Sequence, residues 1–307
     1  MAQVGRLRQI GIGKETTAGT AVAATFWIGV ESGKVTPLVE YASDTSSNGR
    51  IETPIMSKVT KKNAITQFTA PARSDWLGML LKATLGTSAS ATASGETVVY
   101  EHTFTVLNSN AHPAYTLRLK DGIATEYSTY SMLSKLGLSC EAGGLLMVDA
   151  EFVGRNLTST TGTPAYSNDY IWKSGQGTIK FATDLSGLGA ASAIAFHSMK
   201  LEIDTGLMTH HAFGSDTLTA NYNGPIKISG ELQIIHDNNT YRDYVQAGTE
   251  KAMRISFAGD SIGNAETVEL QINLAKCAFE EWDVSDSNDE IAVETIKFTA
   301  QYDQAEG

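Results

Sequence analysis

Run after run of this chain alternates apolar and polar residues with a period of two, the mark of antiparallel sheet with one buried and one wet face. In 226–234, Ile226, Ile228, Gly230, Leu232 and Ile234 alternate with Lys227, Ser229, Glu231 and Gln233. The same pattern sets Val268, Leu270, Ile272 and Leu274 against Glu269, Gln271 and Asn273, and Ile296, Phe298, Ala300 and Tyr302 against Lys297, Thr299 and Gln301. It recurs in Met199, Leu201 and Ile203, in Tyr115, Leu117 and Leu119, and in Leu146, Val148, Ala150 and Phe152. The expected fold is therefore mainly β.

Helical signals are few. Ser74 reads as an N-cap with Asp75 in the first turn, Leu77, Leu80, Leu81 and Leu85 follow at helical spacing, and Gly86 stops the run. A second short helix begins at Asn239, with Tyr241, Tyr244 and Val245 on one face and Gly248 after it.

Laid side by side, the halves share an order of parts. Each has a strand (33–41; 198–207), a long polar loop (42–58; 208–223), an alternating strand (62–70; 225–236), a short helix (74–85; 239–248) and further strands, with a cysteine before the last turn. The expectation is two tandem β modules with one short helix each. The proposed division is an N-terminal arm (1–24), a first module (25–157), a Thr- and Ser-rich linker (158–168) and a second module (169–307).

Charge narrows the function classes. The 307 residues carry a formal net charge of −11, and charged residues are 19%, below the roughly 25% of an average soluble protein. Such a chain is not built to grip nucleic acid, because phosphate binding needs clustered Lys and Arg. The charge is also uneven. Residues 1–14 hold Arg6, Arg8 and Lys14 and no acid, whereas 280–307 hold nine acidic residues and one lysine. Head-to-tail contact between copies could use that asymmetry, or both ends could be solvated tails.

Two cysteines, Cys140 and Cys277, make no disulfide framework and read as buried thiols. The opening MAQVGRLRQIGIGK lacks the apolar core of a signal peptide. The charge-free run 16–30 is too short and too rich in Thr, Gly and Ala to span a bilayer. These features give an expectation of synthesis in the cytoplasm, without membrane insertion.

No motif offers chemistry. Gly11-Ile12-Gly13-Lys14 lacks the spacing and the following Ser/Thr of a phosphate loop. His210 and His211 are sequence neighbours without a Cys or carboxylate at ligand spacing. Glu280, Glu281, Asp283, Asp286, Asp289 and Glu290 lack the ligand order of a calcium loop and read as an acidic loop near Trp282. The sequons at Asn156 and Asn238 have no secretory context, and neither a Gly-x-Ser-x-Gly nor a His-Glu-x-x-His pattern occurs. Trp76 and Tyr241 read as core anchors. Neither a catalytic residue, a metal site nor a cofactor is expected.

The stretch 13–20 (GKETTAGT), followed by Phe26-Trp27 and Val30-Glu31-Ser32-Gly33, resembles the opening of siphophage major tail proteins. So do 44–52 (DTSSNGRIE) and 100–104 (YEHTF). The resemblance is continuous over the first half, and the second half fits as a repeat. It implies a structural tail tube subunit, a small β-sandwich whose strands join those of neighbouring copies into an inner barrel around a DNA channel. Rings stack into the tube of a non-contractile tail, assembled in the host cytoplasm. Tape measure and tail terminator proteins are the implied partners, and DNA passes without specific binding. If rings hold six modules, a chain with two needs three copies, so trimeric, pseudo-sixfold rings are expected.

The resemblance also gives the contact residues. Ring-stacking candidates are Asp44, Ser47, Asn48, Arg50 and Glu52 in the first long loop and Phe213, Asp216, Asn221 and Tyr222 in the second. Arg6, Arg8 and Lys14 are candidate arm contacts, and Glu280, Glu281, Asp283, Asp286 and Asp289 are candidates for the lumen or an interface. Two rivals stay open. A tail-tip or fibre module recognising a cell-surface glycan would cluster exposed aromatics, but Trp27, Trp76, Trp172 and Trp282 are scattered. A β-sandwich hydrolase would need convergent carboxylates or a metal site.

Overall fold

The computed structural model describes residues 5–53, 56–93, 96–167, 169–262, 266–285 and 291–303. The alternating runs become strands as their periodicity requires. The first half contains β1 (Gln9–Lys14), β2 (Phe26–Ile28), β3 (Ser32–Asp44), β4 (Met56–Pro71), α1 (Leu77–Leu85), β5 (Ala89–Thr92), β6 (Tyr100–Thr103), β7 (Tyr115–Lys120), β8 (Thr125–Glu141) and β9 (Met147–Gly154). After β10 (Thr158–Ser159) the second half contains β11 (Gly177–Ala182), β12 (Ala193–Ile194), β13 (Ser198–Asp204), β14 (Met208–His210), β15 (Ala220–Tyr222), β16 (Lys227–Ile235), α2 (Thr240–Ala247), β17 (Glu250–Ser261), β18 (Thr267–Val284) and β19 (Val293–Gln301).

Strand pairing follows one scheme in both halves. In the first the order is β3-β4-β9-β8-β7-β1-β2, and in the second it is β13-β16-β19-β18-β17-β11-β12, all antiparallel. Two pairs of irregularities correspond as well, while the shifts at Glu40/Tyr41 in β3 and Ala258/Ser261 in β17 have no counterpart. The register of β8 on β9 shifts between Leu133 and Lys135, and that of β18 on β19 between Phe279 and Glu281. The register of β7 on β8 shifts between Tyr115 and Leu117, and that of β17 on β18 between Lys251 and Met253. A bulge bends its strand and tightens the local twist. Here the bulges lie where the long strands β8 and β18 change partners, from β7 to β9 and from β17 to β19. On this register Cys277 corresponds to Ser131, not to Cys140, so the two cysteines are not equivalent positions. Both are buried and free.

One continuous core fills the molecule. In the first half Phe152 lies 6.4 Å from Phe68 and 6.3 Å from Tyr115, centroid to centroid. In the second, Phe279 stacks on Tyr244 at 5.7 Å and meets Phe181 edge-on at 5.6 Å. The helices cover the core, α1 through Leu77, Leu80 and Leu81 against β8 and α2 through Tyr241 against β18. Trp76 and Tyr241 are buried core anchors.

Several boundaries differ from the sequence expectation. Ser74 does not cap α1: it lies in the turn before the helix, which starts after Trp76 with no side-chain cap, and its N–H is given to Tyr170 O at 3.1 Å. Both helices end as expected, on Gly86 and Gly248 with positive φ. The loop expected over 42–58 is shorter, since Ala42 to Asp44 continue β3 and Met56 to Lys58 continue β4. The loop expected over 208–223 carries its own β14–β15 hairpin. Residues 9–14, expected within an arm, are β1, hydrogen-bonded between β7 and β2. The linker stretch pairs through β10 with β8.

Candidate assembly surfaces

Eight strands run side by side across both halves, in the order β3-β4-β9-β8-β13-β16-β19-β18. The halves join where β13 pairs with β8, from Ser198 opposite Glu141 to Asp204 opposite Lys135. One face of this sheet enters the core. Across the junction it buries Leu138 with Leu201 and Leu136 with Ile203.

The other face is polar, because alternation puts every second residue there. Lys34, Gln67, Glu151, Lys135, Asp204 and Lys227 lie in one row across six strands. Lys200, Glu231, Lys297 and Glu281 form a second row across four. Opposite charges meet within these rows. Lys135 Nζ stands 3.7 Å from Glu202 and 4.0 Å from Asp204, and Lys297 Nζ stands 2.6 Å from Glu281. Gln67 donates to Glu151 and the Thr69 hydroxyl to Asp149, each at 2.5 Å. Towards β3 the face sinks into a broad open trough bordered by Arg6, Arg8 and Lys34.

Beyond the sheet, β3 and β4 continue as a two-stranded ribbon in which residues 38–44 and 56–61 are exposed on both faces. Six residues of strand reach about 20 Å. The ribbon presents Tyr41, Ile51 and Met56 to solvent. Its turn is held locally, with Asp44 accepting from Ser46 N at 2.9 Å and from the Ser46 hydroxyl. Those hydrogen bonds hold the Asp44 carboxyl below the usual carboxylate range. Asn48 accepts from Arg50 N at 3.2 Å, Arg50 reaches Glu52 at 3.9 Å, and Ser47 is exposed.

The β14–β15 hairpin is the counterpart of the ribbon, and it is folded back. Lys62 N donates to Asp216 O at 2.6 Å, Leu218 N donates to Lys62 O at 3.3 Å, and Lys62 Nζ pairs with the Asp216 carboxylate at 2.5 Å. The lysine's hydrogen bond lowers the Asp216 pKa. Asn221 is 2% exposed and donates to Tyr130 O at 3.0 Å and Val153 O at 2.8 Å. It anchors the hairpin inside the chain, and its burial removes it from any outward contact. Phe213 and Tyr222 are exposed.

A family model described as phage tail tube protein matches residues 5–300. The chain belongs to the phage tail tube protein family. A search of curated proteins found no match. The protein is a structural subunit of the tail tube, a component of the virion tail that self-assembles into a tube.

The remaining candidates of this tail tube protein are dispersed. Arg6 lies in an exposed turn, Arg8 Nη1 donates to Gly33 O at 3.3 Å, and Lys14 closes β1 opposite Tyr115. Glu281 and Asp283 belong to the polar face of β18, opposite Lys297 and Thr295, and Glu280 is exposed beside them. Asp286, Asp289 and Glu290 lie outside the described residues. Among the described residues no cluster of three or more His, Cys, Asp or Glu could hold a metal ion, and no helix is long and apolar enough to cross a membrane.

Sequence reasoning missed two surfaces of the tail tube protein. The lysines and carboxylates of the polar rows were visible as the wet half of each alternating run, but their adjacency depends on register. The sheet's two ends were invisible. Strand β3 pairs with β4 alone, and β18 beyond its contact with β17 has only β19, so each leaves one edge without a strand among the described residues.

Proposed function

We propose that this tail tube subunit carries two copies of one tube module, and that three chains close into a ring with pseudo-sixfold symmetry. Support comes from the identical pairing order of the halves and above all from their matched bulges. Unrelated halves have no reason to place register shifts at corresponding points on corresponding strands.

On this reading the polar face of the eight-stranded sheet lines the channel, and rings stack through the β3–β4 ribbon. The channel chemistry suits passing DNA. Lysines 135 and 297 are neutralised by neighbouring carboxylates, and the chain as a whole is acidic. Arg6, Arg8 and Lys34 leave one basic patch at the trough, but across the rest of the face lysines alternate with carboxylates, so DNA would slide rather than stick. The tube would serve a non-contractile tail, with a tape measure protein in the lumen during assembly and a terminator at its end.

Negative-stain electron microscopy of purified protein tests the assembly. Hollow tubes or rings with a central channel are expected. A persistent monomer across salt and concentration would overturn the reading and favour a tail-tip or fibre binding module.

A further inference from the structure

We infer that the free edge of β3 pairs with the free edge of β18 in a neighbouring copy, in the register that β13 and β8 already use inside the chain. The inference rests on the tube reading and specifies its subunit contact. The matched bulges fix the correspondence. Leu133 opposite Phe152 corresponds to Phe279 opposite Phe298. Phe152 lies opposite Thr66 and Phe298 opposite Gly230, and these lie opposite Val35 and Leu201. Val35 is therefore the counterpart of Leu201. Counting on from the bulge, Val284 is the counterpart of Leu138.

Inside the chain Leu201, Glu202 and Ile203 face Leu138, Gly137 and Leu136. Between copies, Val35, Thr36 and Pro37 would face Val284, Asp283 and Trp282. The internal junction buries Leu136, Leu138, Leu201 and Ile203, whereas Val35, Trp282 and Val284 are half-buried and Pro37 is exposed. Ring closure would cover this apolar set as the internal junction covers its counterparts.

Backbone direction agrees. Thr205 N donates to Ser134 O at 3.0 Å and Ala142 N to His197 O at 2.8 Å, so the odd residues of β13 turn their peptide groups towards β8. By correspondence Gly33, Val35 and Pro37 turn theirs outward, and the Gly33 carbonyl is free to accept from Arg8. Pro37 has no N–H to offer, so the ladder between copies has one bond fewer than the internal one. A proline is tolerated in a strand when its nitrogen faces an open edge, and there it discourages promiscuous pairing. The edge is thus selective for a partner that also supplies the matching apolar row and the carboxylate of Asp283 near Lys34.

Disulfide trapping tests the register. In a Thr36→Cys/Asp283→Cys double variant, oxidation of assembled tubes should give covalent species up to three chains. Each single variant and the shifted pair Leu38→Cys/Asp283→Cys should stay uncoupled. The native thiols do not interfere, since both are buried. Zero-length carbodiimide coupling of wild-type tubes, read by mass spectrometry on mixed isotope-labelled chains, should give an intermolecular Lys34–Asp283 link, and this needs no variant to fold. Tubes that show neither link, or that trap the shifted pair, would overturn the register and leave the tube assignment standing. Failure of the wild-type chain to assemble at all would overturn both.

Discussion

Glu15 is 5% exposed, and its carboxylate is the hub of the first half's loops. It accepts from Gly19 N at 2.6 Å, the Thr116 hydroxyl at 2.8 Å and Tyr130 N at 2.9 Å. Tyr130 has φ 51°, a conformation that a bulky residue adopts only when its surroundings hold it there. Arg155 lies 5.3 Å from the Tyr130 ring and donates to Leu218 O at 3.0 Å, tying the bend to the β14–β15 hairpin. Glu15→Ala leaves these donors unpaired and should cost about 2–4 kcal/mol, read from the urea midpoint of the unassembled subunit. A second expectation concerns alkaline pH. Burial raises the Cys277 thiol from 9.0 to about 12 and the Tyr241 phenol from 10.0 to about 12. The folded state thus binds protons that the unfolded chain releases. That stability is fully present below pH 9 and is lost as pH rises from 9 towards 12, so the urea midpoint should fall over that interval, and less steeply in Cys277→Ala. Burial of Trp76, Tyr241 and both cysteines could be read from residue type alone. The burial of Asn221 could not, because its partners Tyr130 and Val153 lie far away in sequence.

Among the elements, the buried strands were the most legible. Met199, Leu201 and Ile203 alternate because one face of β13 meets the core, and the structure buries all three. The outer part of the ribbon was illegible for the opposite reason. Residues 42–44 and 56–58 have solvent on both faces, so nothing selects an alternating pattern, and these ends of the strands read as polar loop although 33–41 reads as strand. The start of α1 was misplaced because residues 74–76 form a turn ahead of the helix, tied by Ser74 N to Tyr170 O, a tertiary contact that the local capping pattern does not show. If the ribbon joins rings, Ile51→Asp should shorten tubes in electron micrographs. The melting temperature of the subunit should move little, since a fully exposed side chain supports no core. An unchanged tube length distribution would remove the ribbon from ring stacking.

For the whole molecule, the proposed reading makes the eight-stranded sheet the feature that turns a fold into an assembly. A sheet with two open edges tends towards pairing with other copies, and closing into a ring removes both edges. The sequence showed a shared order of parts but little residue identity between halves, so the case for a repeat rests on pairing order and on two pairs of bulge positions. Its count of modules decides the architecture. The most direct measurement is the number of chains per ring, from cryo-electron microscopy of assembled tubes with symmetry determined without imposing it. Two tube modules per chain require three chains and six similar lobes around the channel. Six chains per ring, with twelve lobes or with one half of each chain outside the wall, would contradict the account.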